Sequence, residues 1–285
     1  MTNSAKKNSG TGDAPLISAV VTTHNRPDML VRALDSVAVQ SYPRVELVVV
    51  DDGSEQKMRS IVEKYADVLP VKYLRNEQPQ GACRARNRGI EAADGSFVAG
   101  LDDDDAWHED RLNRLMAAYS DKYCCISSDT LMVYPKKEVV WKKKEVISLG
   151  TLLYTNQVGN QVLARRDRLL EVGGFDPALQ AAQDYDLWIR LCARFGPVKN
   201  VQEPLQTIYM NHDGDRITSR SSFEGYLQFY SKHKQRFNRA QRKYQLYKIR
   251  RAQHKPESIR EFISCVPAFR YWKEIKRMII GQIAE

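Results

Sequence analysis

Three short runs, LISAVVTT (16–23), VELVVV (45–50) and SFVAGL (96–101), stay apolar on successive residues and are rich in β-branched side chains. A strand with one wet face alternates; a strand that does not is buried on both faces, which requires helices on both sides of a mostly parallel sheet. The segments between the runs supply those helices. After Asn25-Arg26-Pro27, the residues Leu30, Ala33, Leu34 and Val37 recur at i, i+3, i+4 and i+7, and the proline suits a first helical turn. Met58, Ile61, Val62 and Tyr65 make a second helix face, for which Ser54 is a candidate cap. VKYLR (71–75) reads as a strand and Arg84–Ala93 as a helix. The class is therefore α/β.

In such sheets ligands bind beyond the carboxyl ends of the strands. Those ends here are Thr22-Thr23-His24-Asn25, Asp51-Asp52-Gly53, Arg75-Asn76 and Asp102 to Asp105, all polar and all expected along one rim. The four consecutive aspartates need an explanation. Two like charges ~4 Å apart repel by about 1 kcal/mol in water and by roughly 4 at an effective dielectric of 20. Capping a helix from near Ala106 would use one carboxylate, Asp105, and leave three. A divalent cation reverses the sign of the problem, and Mg²⁺ or Mn²⁺ prefers oxygen ligands shared with phosphates. In an extended segment Asp102 and Asp104 point to one side. Asp51 and Asp52 form a second acidic strand end, with Gly53 allowing a tight turn or a carboxylate there receiving a base or ribose.

Beyond residue 106 the sequence predicts a helix over 107–119, strands at 123–134 and 158–166, a Lys-rich loop or exposed hairpin at 135–150, a tight turn at Gly173-Gly174 and a helix over 184–195. Residues 1–14 are polar and without an apolar core segment, and read as a disordered lead rather than a signal peptide. No apolar run reaches the length of a membrane span. Five cysteines without a CxxC spacing point to reduced thiols in the cytoplasm.

The formal net charge of +9 is unevenly distributed. Residues 221–285 hold 15 Lys and Arg against 5 Glu and no Asp, so the rest of the chain is close to neutral. The tail reads as helical, broken at Pro256 and Pro267, with Phe, Tyr and Trp among its basic residues. That composition suits peripheral contact with an anionic membrane, or packing against the domain. No nucleic-acid module accompanies it.

VVTTHNRPDMLVRALDSV, ELVVVDDGS, GACRARNRGI, FVAGLDDDDAWHEDRL and AAQDYDLWIRL, in that order over residues 15–215, resemble family 2 glycosyltransferases. The resemblance implies a GT-A fold over residues 15–220, followed by a basic helical extension at 221–285. It implies metal-dependent, inverting transfer of a hexose from a nucleoside-diphosphate sugar, with UDP the family habit. The acceptor would be a saccharide or lipid-linked glycan of lipopolysaccharide, O-antigen or capsule, and the setting the inner face of the plasma membrane. On the matching positions, Thr22 and Asp52 would hold the base, Arg86 the nucleotide or its phosphates, and Asp102 and Asp103 the donor. Asp104 would be the stronger metal ligand for Mn²⁺ or Mg²⁺, and His212 would reach the metal or diphosphate, with Arg216 near phosphate. Asp184 would be the catalytic base, or a helix cap, or both. Where relatives carry Glu-Asp this chain has Gln183-Asp184. A sugar-nucleotide pyrophosphorylase would need glycines after the first strand, and TTHNRPD has none; a non-catalytic basic adaptor at the membrane would bind no nucleotide.

Overall fold

The computed structural model describes residues 14–56, 58–210, 222–253, 258–272, 274 and 275. Strands β1 (Ile17–Thr23), β2 (Val45–Asp51), β3 (Val71–Arg75) and β4 (Phe97–Asp102) alternate with helices α1 (Pro27–Ala38), α2 (Arg59–Val62) and α3 (Ala82–Ala92). The four strands pair in parallel in the order β3-β2-β1-β4. The central residues of β1, β2 and β4 are almost wholly buried, because helices cover both faces, while β3 at the edge is half-buried. Pro27 opens α1, and Leu30, Ala33, Leu34 and Val37 are all buried, as the spacing predicts. The second helix starts later than expected. Its N-cap is Met58 without a side-chain cap, because the Ser54 hydroxyl instead accepts from the Asn25 amide.

The second half returns along the same sheet with mixed pairing. In chain order it holds β5 (Asp105–Trp107), α4 (Arg111–Ala117), β6 (Ile126–Tyr134), β7 (Lys137–Trp141), β8 (Val146–Ile147), α5 (Leu149–Leu152), β9 (Leu163–Arg165), α6 (Arg166–Glu171), α7 (Gln183–Phe195) and β10 (Val198–Tyr209). The sheet continues β4-β9-β6-β10-β5, with β4–β9 and β10–β5 antiparallel and β10–β6 parallel. β6 and β7 form the hairpin admitted for the Lys-rich segment. Two expectations change. The strand read over 158–166 shrinks to Leu163–Arg165, since Gly159 sits at φ 97° and residues 158–162 form an irregular loop. The helix read from residue 107 starts at Arg111, because Asp105–Trp107 pairs with β10.

Among the described residues the helices α8 (Ser222–His233), α9 (Arg239–Ala252) and α10 (Ile259–Cys265) follow. They pack on the domain. Phe229 stacks on Tyr185 with ring centroids 4.4 Å apart, in the same core as Trp188 and Leu187. Gln241 and Gln245 donate to the carbonyls of Gly150 and Leu153. No helix of the described residues is long and apolar enough to cross a membrane.

Candidate active site

Sheet register brings the predicted rim together. Thr22 lies opposite Asp102, Thr23 opposite Asp51, and Asp51 opposite Arg75. At β2 the two acids divide. Asp51 is fully buried and accepts from the Ser54 amide, the Tyr73 hydroxyl and Arg75, which hold its carboxyl below the usual range despite burial. Both Asp52 oxygens are engaged, by Asn76 at 2.6 Å and by the amides of Gln80 and Gly81 at 2.9 and 2.8 Å. Asp52 thereby fixes the loop that starts α3, and a base or ribose contact would be an additional bond on its remaining lone pairs. Gly53 makes the predicted turn at φ 72°.

The aspartate run is a tight turn, Asp103-Asp104, between β4 and β5 rather than an extended segment. Even so, carboxylate oxygens of Asp102, Asp104 and Asp105 lie within 4.8 Å of one another. Asp102 and Asp104 are thus gathered as expected, and Asp105 joins them instead of capping a helix; α4 has Asp110 at its N-cap. Asp103 turns the other way, 3.2 Å from an Arg26 guanidinium nitrogen that also lies 3.3 Å from Asp104. Burial pushes the Asp103 carboxyl up to about 6, with Thr23 and Arg26 opposing the shift.

Two cations and two amides make this crowding tolerable. Arg86 on α3 donates to Asp102 Oδ1 at 2.7 Å, and the Asn160 amide donates to Asp102 Oδ2 at 2.7 Å and to Asp105 Oδ2 at 3.2 Å. Burial would push Asp102 up, but Arg86 and Asn160 bring it below the usual carboxylate range. Gln161 donates to Asp105 at 2.7 Å and accepts from the Trp107 indole. Burial and its two acidic neighbours nevertheless raise Asp105 well above the ordinary value. Behind it stands Arg111, fully buried and pushed down to about 9 by desolvation, with Asp105 pulling the other way. Asp104 is the member of the trio with most freedom: its carboxylate is 29% exposed and its described side-chain partner is the long Arg26 contact.

The loop carrying Asn160 and Gln161 is pinned from three sides. Trp188 donates to the Gly159 carbonyl, Lys143 to the Val158 carbonyl, and Asn156 accepts from the Val158 amide. Asn160 and Gln161 were not singled out by sequence. Their only signal is an uncharged amide pair inside an apolar run, Val158 to Leu163, where a buried amide demands a partner.

Asp184 lies in the first turn of α7, whose N-cap is Ala182 at φ 60°, a strained conformation for a residue with a Cβ. Asp184 makes no cap bond, and its Oδ1 is buried without a hydrogen-bond partner among the described residues. Burial pushes its carboxyl up to about 6; Arg86 opposes the shift and Asp102 adds to it. Arg86 thus acts electrostatically on both the base candidate and Asp102. Its neighbour Asn87, also unremarked in the sequence, clasps the far half by donating to the Phe175 carbonyl and accepting from the Phe175 amide, both at 2.7 Å. Gly174 at φ 62° permits this, since a Cβ there would lie 2.4 Å from Asn87 Oδ1. Gln183 donates to the Leu179 carbonyl and does not reach the acids. His212 and Arg216 lie outside the described residues. A cavity of about 30 Å³ beside Arg86, Asp102 and Asn160 is far too small for a hexose, which leaves the open rim for a sugar.

The all-oxygen donor set of Asp102, Asp104 and Asp105 fits a hard divalent cation. The chain is 34% identical over 259 residues to the putative colanic acid biosynthesis glycosyl transferase WcaA of Escherichia coli K12, covering 85% of this chain and 89% of that one. The fold matches S. aureus TarS 1-349 in complex with UDP-GlcNAc at a TM-score of 0.65, with 20% identity over 90% of this chain and 77% of the other. It also matches the mannosyltransferase PcManGT of Pyrobaculum calidifontis in complex with GDP-Man and Mn²⁺, at a TM-score of 0.61 and 18% identity over 87% and 67% of the two chains. The sequence model described as glycosyl transferase family 2 matches residues 18–181, and the chain belongs to that family of glycosyltransferases, with the GT-A type fold.

Proposed function

We propose that this glycosyltransferase moves a hexose from a nucleoside-diphosphate sugar to a saccharide or lipid-linked acceptor during synthesis of a cell-envelope polysaccharide, with inversion at the anomeric carbon. The observation that carries the reading is the gathering of Asp102, Asp104 and Asp105 within 4.8 Å at the rim, with Arg86 linking them electrostatically to Asp184. The WcaA name supports the polysaccharide setting, and the ligands named for the two solved structures support a nucleotide-sugar donor. UDP is the first donor nucleotide to test and GDP the second.

Asp104, with Asp102 and Asp105, would hold Mn²⁺ or Mg²⁺, whose chemistry when bound is to offset the negative charge developing on the departing diphosphate. Arg86 keeps Asp102 ionised, and Asn160 holds the Asp102 and Asp105 carboxylates in a fixed orientation. Thr22, at the end of β1, and Asp52, through the loop it fixes, would shape the place of the base. Asp103, turned toward Arg26, would steady the donor side of the turn. Asp184 takes the proton from the acceptor hydroxyl. A carboxyl raised to about 6 is a stronger base than an ordinary aspartate and still ionised at neutral pH. A single in-line displacement needs a base on the acceptor side only, which agrees with inversion.

The test is a panel of UDP-, GDP- and dTDP-sugars assayed for transfer or hydrolysis with Mn²⁺. Turnover with one of them, lost in Asp104→Ala, is expected; wild-type turnover in that variant would remove the acidic trio from the mechanism.

A further inference from the structure

We propose that the outer face of α9, α10 and the segment from Pro267 to Trp272 is a lipid-docking surface, by which the protein lies on an anionic bilayer without crossing it. The inference goes beyond the transfer reaction and does not depend on it. Helix α9 has two chemically different sides. Tyr244 and Tyr247 are buried in a small aromatic core with Phe262 and Val266, and Ile249 is buried as well. Arg239, Arg242, Lys243, Leu246 and Arg250 recur at i, i+3, i+4, i+7 and i+11, and all are exposed. The result is a basic stripe with one leucine in it, on a helix whose other side is spoken for.

The next segment adds apolar groups that stay largely exposed, although the Phe269 ring also meets Tyr154 edge-on. Ile259 is 80% exposed, Ile263 59%, Phe269 67% and Trp272 79%, and the first and last exceed every other large hydrophobic of the described residues. Ile259 and Ile263 are one turn apart on α10 and both exposed, while Phe262 is buried. The Tyr271 hydroxyl donates to the Ile263 carbonyl, which brings the turn carrying Trp272 alongside α10. Exposed Trp, Phe and Ile beside Lys and Arg is the composition of a surface that enters the boundary between headgroups and acyl chains.

Charge decides between occupants. Residues 221–285 carry 15 basic against 5 acidic groups while the remaining 220 residues are close to neutral, so the excess is confined to this end of the chain. A second copy would set like charge against like charge on this face. An anionic lipid surface complements it, and four apolar side chains give that surface something to bury. No described helix can span, so the geometry is that of a helix pair lying in the interface.

The test is co-sedimentation of the full-length protein with vesicles of phosphatidylcholine alone or with 30% phosphatidylglycerol, at low and at raised salt. Wild type is expected to bind the anionic vesicles at least tenfold more tightly, with binding weakened by salt. Two double variants separate the contributions: Ile259→Asp with Trp272→Asp, and Arg239→Glu with Lys243→Glu. Each changes exposed side chains, so melting temperature should hold while vesicle affinity falls at least tenfold. Equal affinity for neutral and anionic vesicles, or variants that sediment as wild type does, would overturn the proposal. So would a wild-type dimer in sedimentation velocity that the Ile259→Asp, Trp272→Asp variant converts to monomer, since the face would then belong to self-association.

Discussion

Asp184 and Asp186 stand two residues apart in the first turn of one helix and live in opposite surroundings. Asp186 faces α8 and is saturated. Its Oδ2 takes two bonds from Arg190 at 2.9 and 2.6 Å, and its Oδ1 lies 2.8 Å from His233 Nε2 and 2.9 Å from Lys232. Burial pushes Asp186 up, but these donors hold it far below the usual carboxylate range. Asp184 faces the rim with an orphaned oxygen and a carboxyl raised to about 6. The same contrast separates Asp51, with three donors, from the run Asp102 to Asp105. Burial of an acid is thus uninformative by itself. A buried acid whose bonds are complete holds the fold together; one left incomplete among like charges is poised for something the free protein does not contain.

Asp184→Asn should lower transfer by about a thousandfold while leaving donor binding intact, the scale expected for loss of a general base; single-turnover kinetics beside a donor-binding titration would check it. Substantial residual transfer would place the base elsewhere. Asp186→Ala should instead lower stability by about 3–5 kcal/mol, because it removes the shared partner of half-buried Arg190 and buried His233; urea unfolding reads this directly. A variant as stable as wild type would show that the saturated network is not structural.

The pH dependences should differ in sign. Asp184 has a folded value above its unfolded 3.8, so its contribution to stability declines as pH rises from about 4 to 6, while the transfer rate climbs as it ionises near 6. Asp186 has a folded value below 3.8, so its contribution is present above that pH and is lost as pH falls through the lower folded value. A kcat profile with an acidic limb near 6 that vanishes in Asp184→Asn, and acid unfolding flattened in Asp186→Asn, are the expected results. Smallest in size is a stabilisation. Asp104→Asn removes a charge that raises both Asp103 and Asp105 and gives up only a 3.3 Å contact to half-exposed Arg26, so it should stabilise the free protein by about 1 kcal/mol.

The donor half was legible because its rules are local. Three apolar runs with 3.6-residue patterns between them define parallel strands, and parallel register aligns their carboxyl ends without any long-range knowledge. Thr22 and Asp102 therefore pair at the strand ends, where the pattern puts them. Strand β10 went unread because Pro204 and two register shifts break its alternation. Asp105 looked like a helix cap because β5 exists only through pairing with β10. Asn160 and Gln161 act through contacts 55 to 58 residues away in sequence, which no spacing reveals. The tail showed its charge in the sequence, but not that Phe229 and Gln245 would seat it on the domain.

On the proposed mechanism, the rim acids are held in a costly arrangement that a divalent ion and a diphosphate relieve. Thermal melts of wild type and Asp104→Asn, each alone and with Mn²⁺ plus UDP or GDP, test it most directly. The account predicts that the variant melts higher than wild type when both are free, and that only wild type rises when metal and nucleotide are added together. A wild type that ignores metal and nucleotide, or an Asp104→Asn protein that melts lower when free and responds as wild type does, would contradict it.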